Sequence, residues 1–335
     1  MKIAVLLGGT SPERHVSLAS GKAIAIALKD AGHEVLIYDI ALGEKALVEL
    51  ESLGKPTENA PTMDELSTYD NKNIIISLQL IPKDIDIAFL ALHGASGEDG
   101  TVQAVLDLMG IKYTGAGVMS SSVAMDKAMS KKLFEFEGVP TPEWFCLNSD
   151  DATIEELEEY VKDHTDYPVV VKPNTGGSTV GLTIVKDKSE LMDAYNTAAI
   201  YSSSILFEEF IEGRELTVPI LGGEALPVIE IKPISGMYDY ASKYTAGKTE
   251  YITPADLPLD VTEEVQALAL LAHDALACGS YSRVDFRLDS ENNLFCLEVN
   301  TLPGMTSTSL VPKSASVIGL SFAQLCEKII ELSLQ

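Results

Sequence analysis

The stretch from Arg283 to Asn300 carries the densest set of groups capable of chemistry. It reads as a β-hairpin with its turn centred on Glu291-Asn292, which sets Asp285 opposite Glu298 and Arg283 opposite Asn300. Side chains alternate across a strand, so these four share one face. The other face is expected to pair Val284 with Val299, Phe286 with Leu297 and Leu288 with Phe295. Two carboxylates directly opposed in a sheet repel unless a cation lies between them. Asp, Glu and Asn offer only oxygen ligands, which selects a hard ion such as Mg²⁺ over zinc. A solvated charged hairpin face is the alternative.

A second constellation, Lys172-Pro173-Asn174-Thr175-Gly176-Gly177-Ser178-Thr179-Val180-Gly181, is a glycine-rich loop between two expected strands. Such a loop can fold its N–H groups over phosphates, with Lys172 supplying positive charge; a plain hairpin turn is the other reading. It is not a Walker motif, because Leu182 stands where that motif needs Lys. Asp126-Lys127 with Lys131-Lys132 is a small cationic patch or, more simply, a solvated helix face. Glu208-Glu209-Phe210-Ile211-Glu212-Gly213-Arg214-Glu215 is an edge strand whose backbone could pair with a nucleotide base, with Glu215 near ribose hydroxyls. Asp239 to Tyr244, including Lys243, is either a lid or a surface loop. His93 reads equally as a loop hydrogen-bonder, and the surroundings of Ser96 do not form a hydrolase elbow.

The elements that must position these groups fall into two textures. Ile3–Leu7 is a buried-strand run, followed by a turn and a helix from Glu13 to Ala31, with Ser11-Pro12 as its start signal. Further strands are expected at His33–Ile40 and Asp84–Leu92, and a helix at Thr101–Met109. Residues 51–80 read as a polar, irregular insertion. This first part is α/β with a parallel sheet. Beyond residue 123 come helices at Met125–Gly138 and Glu155–Asp163, and strands at Pro168–Lys172, Val180–Val185, Ile205–Glu209, Leu216–Leu221 and Leu226–Ile231. A loop-rich stretch, a helix at 262–277, the hairpin and a last helix at Phe322–Leu332 complete an α+β part. The 335 residues suit two or three domains. With 24 basic against 50 acidic residues the charge is −26, which opposes general attraction to nucleic acid or anionic membranes. Any bound phosphate must therefore sit in a local cationic pocket. The four scattered cysteines read as buried thiols of a reducing compartment, and a cytoplasmic location is expected.

Several motifs occur together and in order. They are Gly8-Gly9-Thr10-Ser11-Pro12-Glu13-Arg14 with Val16-Ser17; Leu92-His93-Gly94 with Gly97-Glu98-Asp99-Gly100; Tyr113-Thr114-Gly115; and Met125-Asp126-Lys127 with Lys131. Then follow Lys172-Pro173 and the glycine loop; Gly213-Arg214-Glu215-Leu216-Thr217; Tyr238-Asp239-Tyr240 to Lys243-Tyr244; Arg283-Val284-Asp285; and Glu298 through Ser307 with Ser309-Leu310-Val311-Pro312. Together they resemble the D-alanine–D-alanine ligases of the ATP-grasp superfamily, from residue 1 to about 330. A Rossmann dehydrogenase would need G-x-G-x-x-G after the first strand, and Gly8 to Glu13 does not supply it.

The resemblance implies a three-domain ATP-grasp architecture. Residues 1–122 would bind the first D-alanine, 123–212 would carry the glycine loop, and 213–335 the metal site and lid loop. It implies ATP-driven joining of two D-alanines through an acyl phosphate, for cell-wall precursor synthesis. Lys127, Lys172 and Lys243 would hold phosphates. Glu208, Glu209, Phe210 and Ile211 would hold adenine, and Glu215 the ribose. Asp285, Glu298 and Asn300 would bind two Mg²⁺ (or Mn²⁺), with K⁺ as an optional activator. Arg283 would stabilise the oxyanion, and Glu13 the first D-alanine's ammonium. Ser178 and Tyr244 would link to Glu13, and His93 would lie near the reacting groups. Gly304, Ser309 and Leu310 would hold the second carboxylate. The family implies a homodimer acting on small molecules, with no nucleic-acid or membrane partner. Tyr244 favours an amine acceptor, since relatives making D-alanyl-D-lactate often carry Phe there. Two departures stand out: Gly176 occupies the place of a usual Glu, with Thr179 at a usual Ser, and Thr308 replaces a common His. The alternatives are a ligase of this fold with D-serine or D-lactate as acceptor, and a nucleotide-binding regulator without catalysis.

Overall fold

A computed structural model describes residues 1–53, 61–148, 152–234, 248–306 and 309–335. Strands β1 (Lys2–Leu7), β2 (Glu34–Asp39), β3 (Leu47–Val48) and β4 (Ile87–Leu90) form a four-stranded sheet in the order β3-β2-β1-β4. β1 is parallel to both neighbours. Its run from Ile3 to Leu7 is wholly buried, as an inner parallel strand must be. Helix α1 (Arg14–Asp30) starts later than Ser11 suggests: Glu13 is the N-cap residue. The reason is that the Ser11 hydroxyl donates to the His93 carbonyl at 2.6 Å, tying the two loops at the top of the sheet together.

Residues 51–80 are not simply irregular. Among them lie α2 (Met63–Leu66) and α3 (Lys72–Gln79), and α3 buries Ile74, Ser77 and Leu78. The helix expected as Met125–Gly138 is preceded by another. After α4 (Thr101–Met109), α5 (Val118–Met125) and α6 (Lys127–Glu137) are separated at Asp126, whose extended backbone and side chain cap α6 by accepting from the Met129 N–H.

The second sheet is antiparallel, in the order β5-β8-β6-β7, from β5 (Trp144–Asn148), β6 (Val169–Pro173), β7 (Thr183–Val185) and β8 (Ser204–Glu209). Helices α7 (Ile154–His164) and α8 (Lys188–Ala199) share its core through Leu157, Val161, Leu191 and Ala198. The third sheet runs β12-β11-β9-β13-β14, with β10 on β9. Its strands are β9 (Arg214–Leu221), β10 (Glu224–Ala225), β11 (Ile229–Pro233), β12 (Thr249–Ile252), β13 (Tyr281–Leu288) and β14 (Leu294–Asn300). Helix α9 (Leu259–Ala275) covers it, and Phe134 of α6 joins that core. Helices α10 (Leu310–Val317) and α11 (Phe322–Leu334) return to the first sheet, where Leu325, Cys326, Ile329 and Ile330 pack into the same cluster as β1.

All four cysteines are free; Cys278, Cys296 and Cys326 are buried, while Cys146 is only half-buried, less than expected. No helix among the described residues is long and apolar enough to cross a membrane.

Candidate active site

The hairpin of β13 and β14 pairs Arg283 with Asn300, Val284 with Val299 and Asp285 with Glu298, in the expected register. Beyond Asp285 the expectation fails: Phe286 pairs with Cys296, Arg287 with Phe295 and Leu288 with Leu294. Leu297 is the extra residue of a β-bulge, a device common beside active sites. The slip lets Leu294, Cys296 and Val299 all enter the core. It also leaves Leu297 and Glu298, neighbours in sequence, lining the same cavity.

That cavity lies between the second and third sheets. It is lined by Lys127, Lys172, Gly176, Gly177 and Ser178, by Glu208, Glu209, Phe210, Ile211 and Glu215, and by Asp285 and Glu298, among others. The folded chain thus gathers groups separated by up to 171 positions, Lys127 to Glu298. Lys243 and Tyr244 lie outside the described residues, as does Thr308.

Lys127 and Lys131 do not form a solvated helix face. Lys127 is held by the break between α5 and α6, which Asn174 clips from the end of β6. The Asn174 carbonyl and side-chain oxygen accept from the Lys127 and Ala128 N–H groups, and its amide donates to Asp126. The Lys127 ammonium donates to the Gly176 carbonyl at 2.7 Å and lies 3.2 Å from Glu298. Lys172, at the end of β6, and Lys131, fully buried on α6, lie on the two oxygens of Glu208. Burial pushes the Glu208 carboxyl upward, but the two ammonium groups outweigh it and hold it below its usual range. Glu215 sits 3.6 Å from Arg287, whose guanidinium also donates to the Ile211 and Gly213 carbonyls and so fixes the turn between β8 and β9.

In the hairpin, Arg283 donates two hydrogen bonds to Asp285, at 2.9 and 2.7 Å. Asp285 also accepts from Thr217 at 2.6 Å and from the Asn300 amide at 3.0 Å. Protein cations therefore sit on both opposed carboxylates: Arg283 on Asp285, Lys127 on Glu298. Asp285, Glu298 and Asn300 form an all-oxygen donor set. Two carboxylates with an amide oxygen, and no nitrogen or sulfur ligand, fit a hard cation such as Mg²⁺.

A second group lies over the first sheet. Ser178 Oγ donates to Glu13, joining the glycine loop to the start of α1. Ser178 and Thr179 hold φ angles of 53° and 63°, a left-handed conformation that non-glycine residues adopt at a cost. Gly176 has φ of 115°, with nothing within 4 Å of where a Cβ would be. His93 is buried, and its Nε2 lies 3.1 Å from the Ser20 hydroxyl, which accepts the Met305 N–H. Burial pushes the imidazole down to about 4, with Arg283's charge adding to the fall and a hydrogen bond with the Leu302 backbone opposing it. Glu98 is pushed up to about 8 by burial and by Glu13's charge, although it accepts the Gly94 and Leu302 N–H groups. Ser309 is the residue before α10, and its hydroxyl turns to Thr306 rather than capping the helix, 2.8 Å from the Thr306 hydroxyl. Leu310 begins the helix, and Gly304 leaves room beside Ser309, where a Cβ would come within 3.1 Å of the hydroxyl.

Residues given no role from sequence are Glu98, Lys131, Arg287 and Leu297. Arg287 had a signal, since it alternates with Arg283 and Asp285 along β13. The others depend on burial and on a bulge that no local pattern announces.

The chain can now be set beside known proteins. The family described as D-ala D-ala ligase N-terminus matches residues 2–116, and that described as D-ala D-ala ligase C-terminus matches residues 133–331. The chain belongs to the D-alanine–D-alanine ligase family. A family member from Halalkalibacterium halodurans is 43% identical, with each chain covered in full. The D-alanine–D-alanine ligase structure from Coxiella burnetii superposes with a TM-score of 0.81 at 28% identity, covering 100% of this chain and 94% of that one. The ligase from Bacillus anthracis, solved in complex with ATP, gives a TM-score of 0.76 at 33% identity, covering 100% and 97%. The fold is thus the mixed α/β ATP-grasp architecture of the family.

Proposed function

We propose that this chain joins two D-alanine molecules into D-alanyl-D-alanine at the expense of ATP, for cell-wall precursor synthesis. One observation carries the reading: the phosphate lysines, the base-binding strand end and the opposed carboxylates line a single cavity, whose glycine loop is tied to Glu13. The B. anthracis relative was solved with ATP, which supports ATP as the nucleotide. The proposal extends to residue roles, to a homodimer in the cytoplasm, and to the three units 1–122, 123–212 and 213–335 sharing the work.

In this reading Lys127 and Lys172 balance the charge of the ATP phosphates, which an acidic chain must do locally. The N–H groups of the glycine loop add donors. Asp285, Glu298 and Asn300 would hold Mg²⁺ or Mn²⁺, which would supply positive charge to offset that of the ATP phosphates. Arg283, held beside Asp285, serves as a fixed donor to the oxyanion formed when the second amine attacks the acyl phosphate, from which phosphate then leaves. Glu13 holds the first D-alanine's ammonium. The Ser178–Glu13 bond keeps the loop down, so that water does not hydrolyse the acyl phosphate. Gly304, Ser309 and the Leu310 N–H at the start of α10 receive the second carboxylate, as helix N-termini do.

The test is ATP-dependent phosphate release with D-alanine, L-alanine and D-alanine plus D-lactate in parallel, with products identified by mass. D-alanine alone is expected to give the dipeptide. Release only with a mixed pair would move the acceptor, and no release with measurable nucleotide binding would favour a regulator.

A further inference from the structure

Ser20 sits in the middle of α1, fully buried. A serine at such a position commonly returns its hydroxyl to the carbonyl one turn back. Here the hydroxyl oxygen accepts the Met305 N–H at 3.2 Å and lies 3.1 Å from His93 Nε2, partners 285 and 73 positions away. The segment it holds, Leu302 to Met305, is otherwise fixed by the Leu302 N–H, which donates to Glu98 at 3.3 Å, and by the Leu302 and Met305 side chains, buried in the core around β1. Gly304 lies inside this segment. The next N–H, that of Thr306, goes to Ser309 Oγ at 3.0 Å. Two consecutive N–H groups are thus spent on two helices: Met305's on α1, and Thr306's on the residue that precedes α10.

We propose that Ser20 is a positioning residue for the acceptor amino acid: by holding Met305 it sets where Gly304 and Ser309 stand relative to Glu13, and so how closely the acceptor is fitted. This rests on the ligase reading, in which Glu13 takes the first D-alanine's ammonium and Gly304, Ser309 and Leu310 take the second carboxylate. Glu13 is the N-cap residue of α1. Ser20 follows it by two turns, about 10 Å along the axis and on the same face. One helix therefore carries the donor's anchor at its start and the acceptor segment's anchor two turns later. Attack requires the amine about 3–3.5 Å from the acyl carbon, so the spacing of the two anchors bears directly on the reaction. The apolar contacts of Leu302 and Met305 are non-directional and tolerate sliding; the bond from Met305 to Ser20 does not. Without the hydroxyl, a buried N–H and a buried imidazole nitrogen both lose their partner, and the segment relieves this by moving. D-serine differs from D-alanine by one hydroxyl, an addition that a pocket rejects only as far as its fit is close.

The experiment supplies ATP with equimolar D-alanine and D-serine and measures the ratio of D-alanyl-D-alanine to D-alanyl-D-serine by mass, with fragmentation fixing which residue comes first. The wild-type chain, Ser20→Ala and Ser20→Cys are compared. Both products form from the same acyl phosphate, so their ratio reads the acceptor subsite alone and is blind to ATP binding, to the first D-alanine and to the fraction of enzyme folded. The wild type is expected to favour D-alanyl-D-alanine. Ser20→Ala should shift the ratio at least about threefold towards D-serine and raise the D-alanine concentration for half-maximal rate about two- to tenfold, with KM for ATP held within about twofold. Ser20→Cys, whose thiol is a weak acceptor, should shift the ratio in the same direction by less. A merely structural serine would lower the melting temperature and leave the ratio unmoved, and that result in a folded Ser20→Ala overturns the proposal. Should that variant fail to fold, an unmoved ratio in Ser20→Cys does so. A wild type that makes no dipeptide from D-alanine refutes the ligase reading and this one with it; an active wild type whose ratio Ser20→Ala retains refutes this one alone.

Discussion

Replacing Ser178 by Ala tests how the glycine loop is held. The Ser178 hydroxyl donates to Glu13, and the Lys127 ammonium holds the Gly176 carbonyl from the other side. Against these bonds stand Ser178 and Thr179, both at positive φ, each costing about 1–3 kcal/mol. A hydrogen bond to a charged acceptor contributes about 1.5–3 kcal/mol. It therefore offsets one strained residue but not both, and the loop is close to balance. Losing it should lower kcat/KM for D-alanine by about 10- to 150-fold. Adding Thr179→Gly relieves about 1 kcal/mol or more of left-handed strain and should restore about fivefold. The assay is phosphate release at varied D-alanine, in a double-mutant cycle with Glu13→Ala. If the loop acts through Glu13, the two single losses overlap and the double variant is little worse than Glu13→Ala alone. Effects that multiply to within about twofold would refute the coupling.

Gly213→Ala should destabilise the chain by more than about 3 kcal/mol, because its Cβ would meet the Leu288 carbonyl at 2.0 Å with φ at 148°. Gly110→Ala, with φ of 69° and open surroundings, should cost only about 1–2 kcal/mol; equal melting temperatures for the two would refute this reasoning. Gly176→Glu places a side chain in open space but on a backbone suited to glycine, so a loss of about 1–3 kcal/mol and no gain in turnover are expected. Unchanged melting with faster turnover would contradict it. Asp285→Asn should lower turnover by more than about a hundredfold while weakening Mn²⁺ binding followed by spin resonance; unaltered metal affinity would remove Asp285 from the ligand set. Glu98, pushed up to about 8, binds a proton in the folded chain that it lacks when unfolded above its ordinary value near 4.5. Stability should therefore fall as pH rises from about 4.5 to about 8. In Glu98→Gln that part of the decline should vanish, and melting curves that keep it would assign it elsewhere.

The alternation of the hairpin was enough to place Asp285 against Glu298, because charged and apolar residues near the site obey a period of two. It failed one residue further on, since a bulge at Leu297 leaves hydrophobicity intact while shifting its phase. Lys127 and Lys131 read as a solvated face for a related reason. Residue type favours exposure, and only the partners Glu298 and Glu208, far along the chain, make burial tolerable. The break between α5 and α6 depends on Asn174, 48 positions from Asp126. The loops carrying Glu13 and His93 were visible as motifs, but the raised Glu98 carboxyl was not, because it arises from burial and from the charge of Glu13, 85 positions away. Short strands such as β12, and the small helix α10 after the hairpin, lack enough period to stand out.

The return of α11 to the first sheet has a consequence for biosynthesis. Leu6 of β1 shares its core with Leu325, Cys326, Ile329 and Ile330, which are synthesised some 320 residues after it. At ~5–20 residues per second, β1 waits roughly 15–65 s for the helix that completes its cover. During translation the first sheet is thus an unfinished surface rather than a folded domain. Nascent chains stopped short of about residue 320 should be favoured clients of chaperones and proteases, even though their N-terminal half is intact.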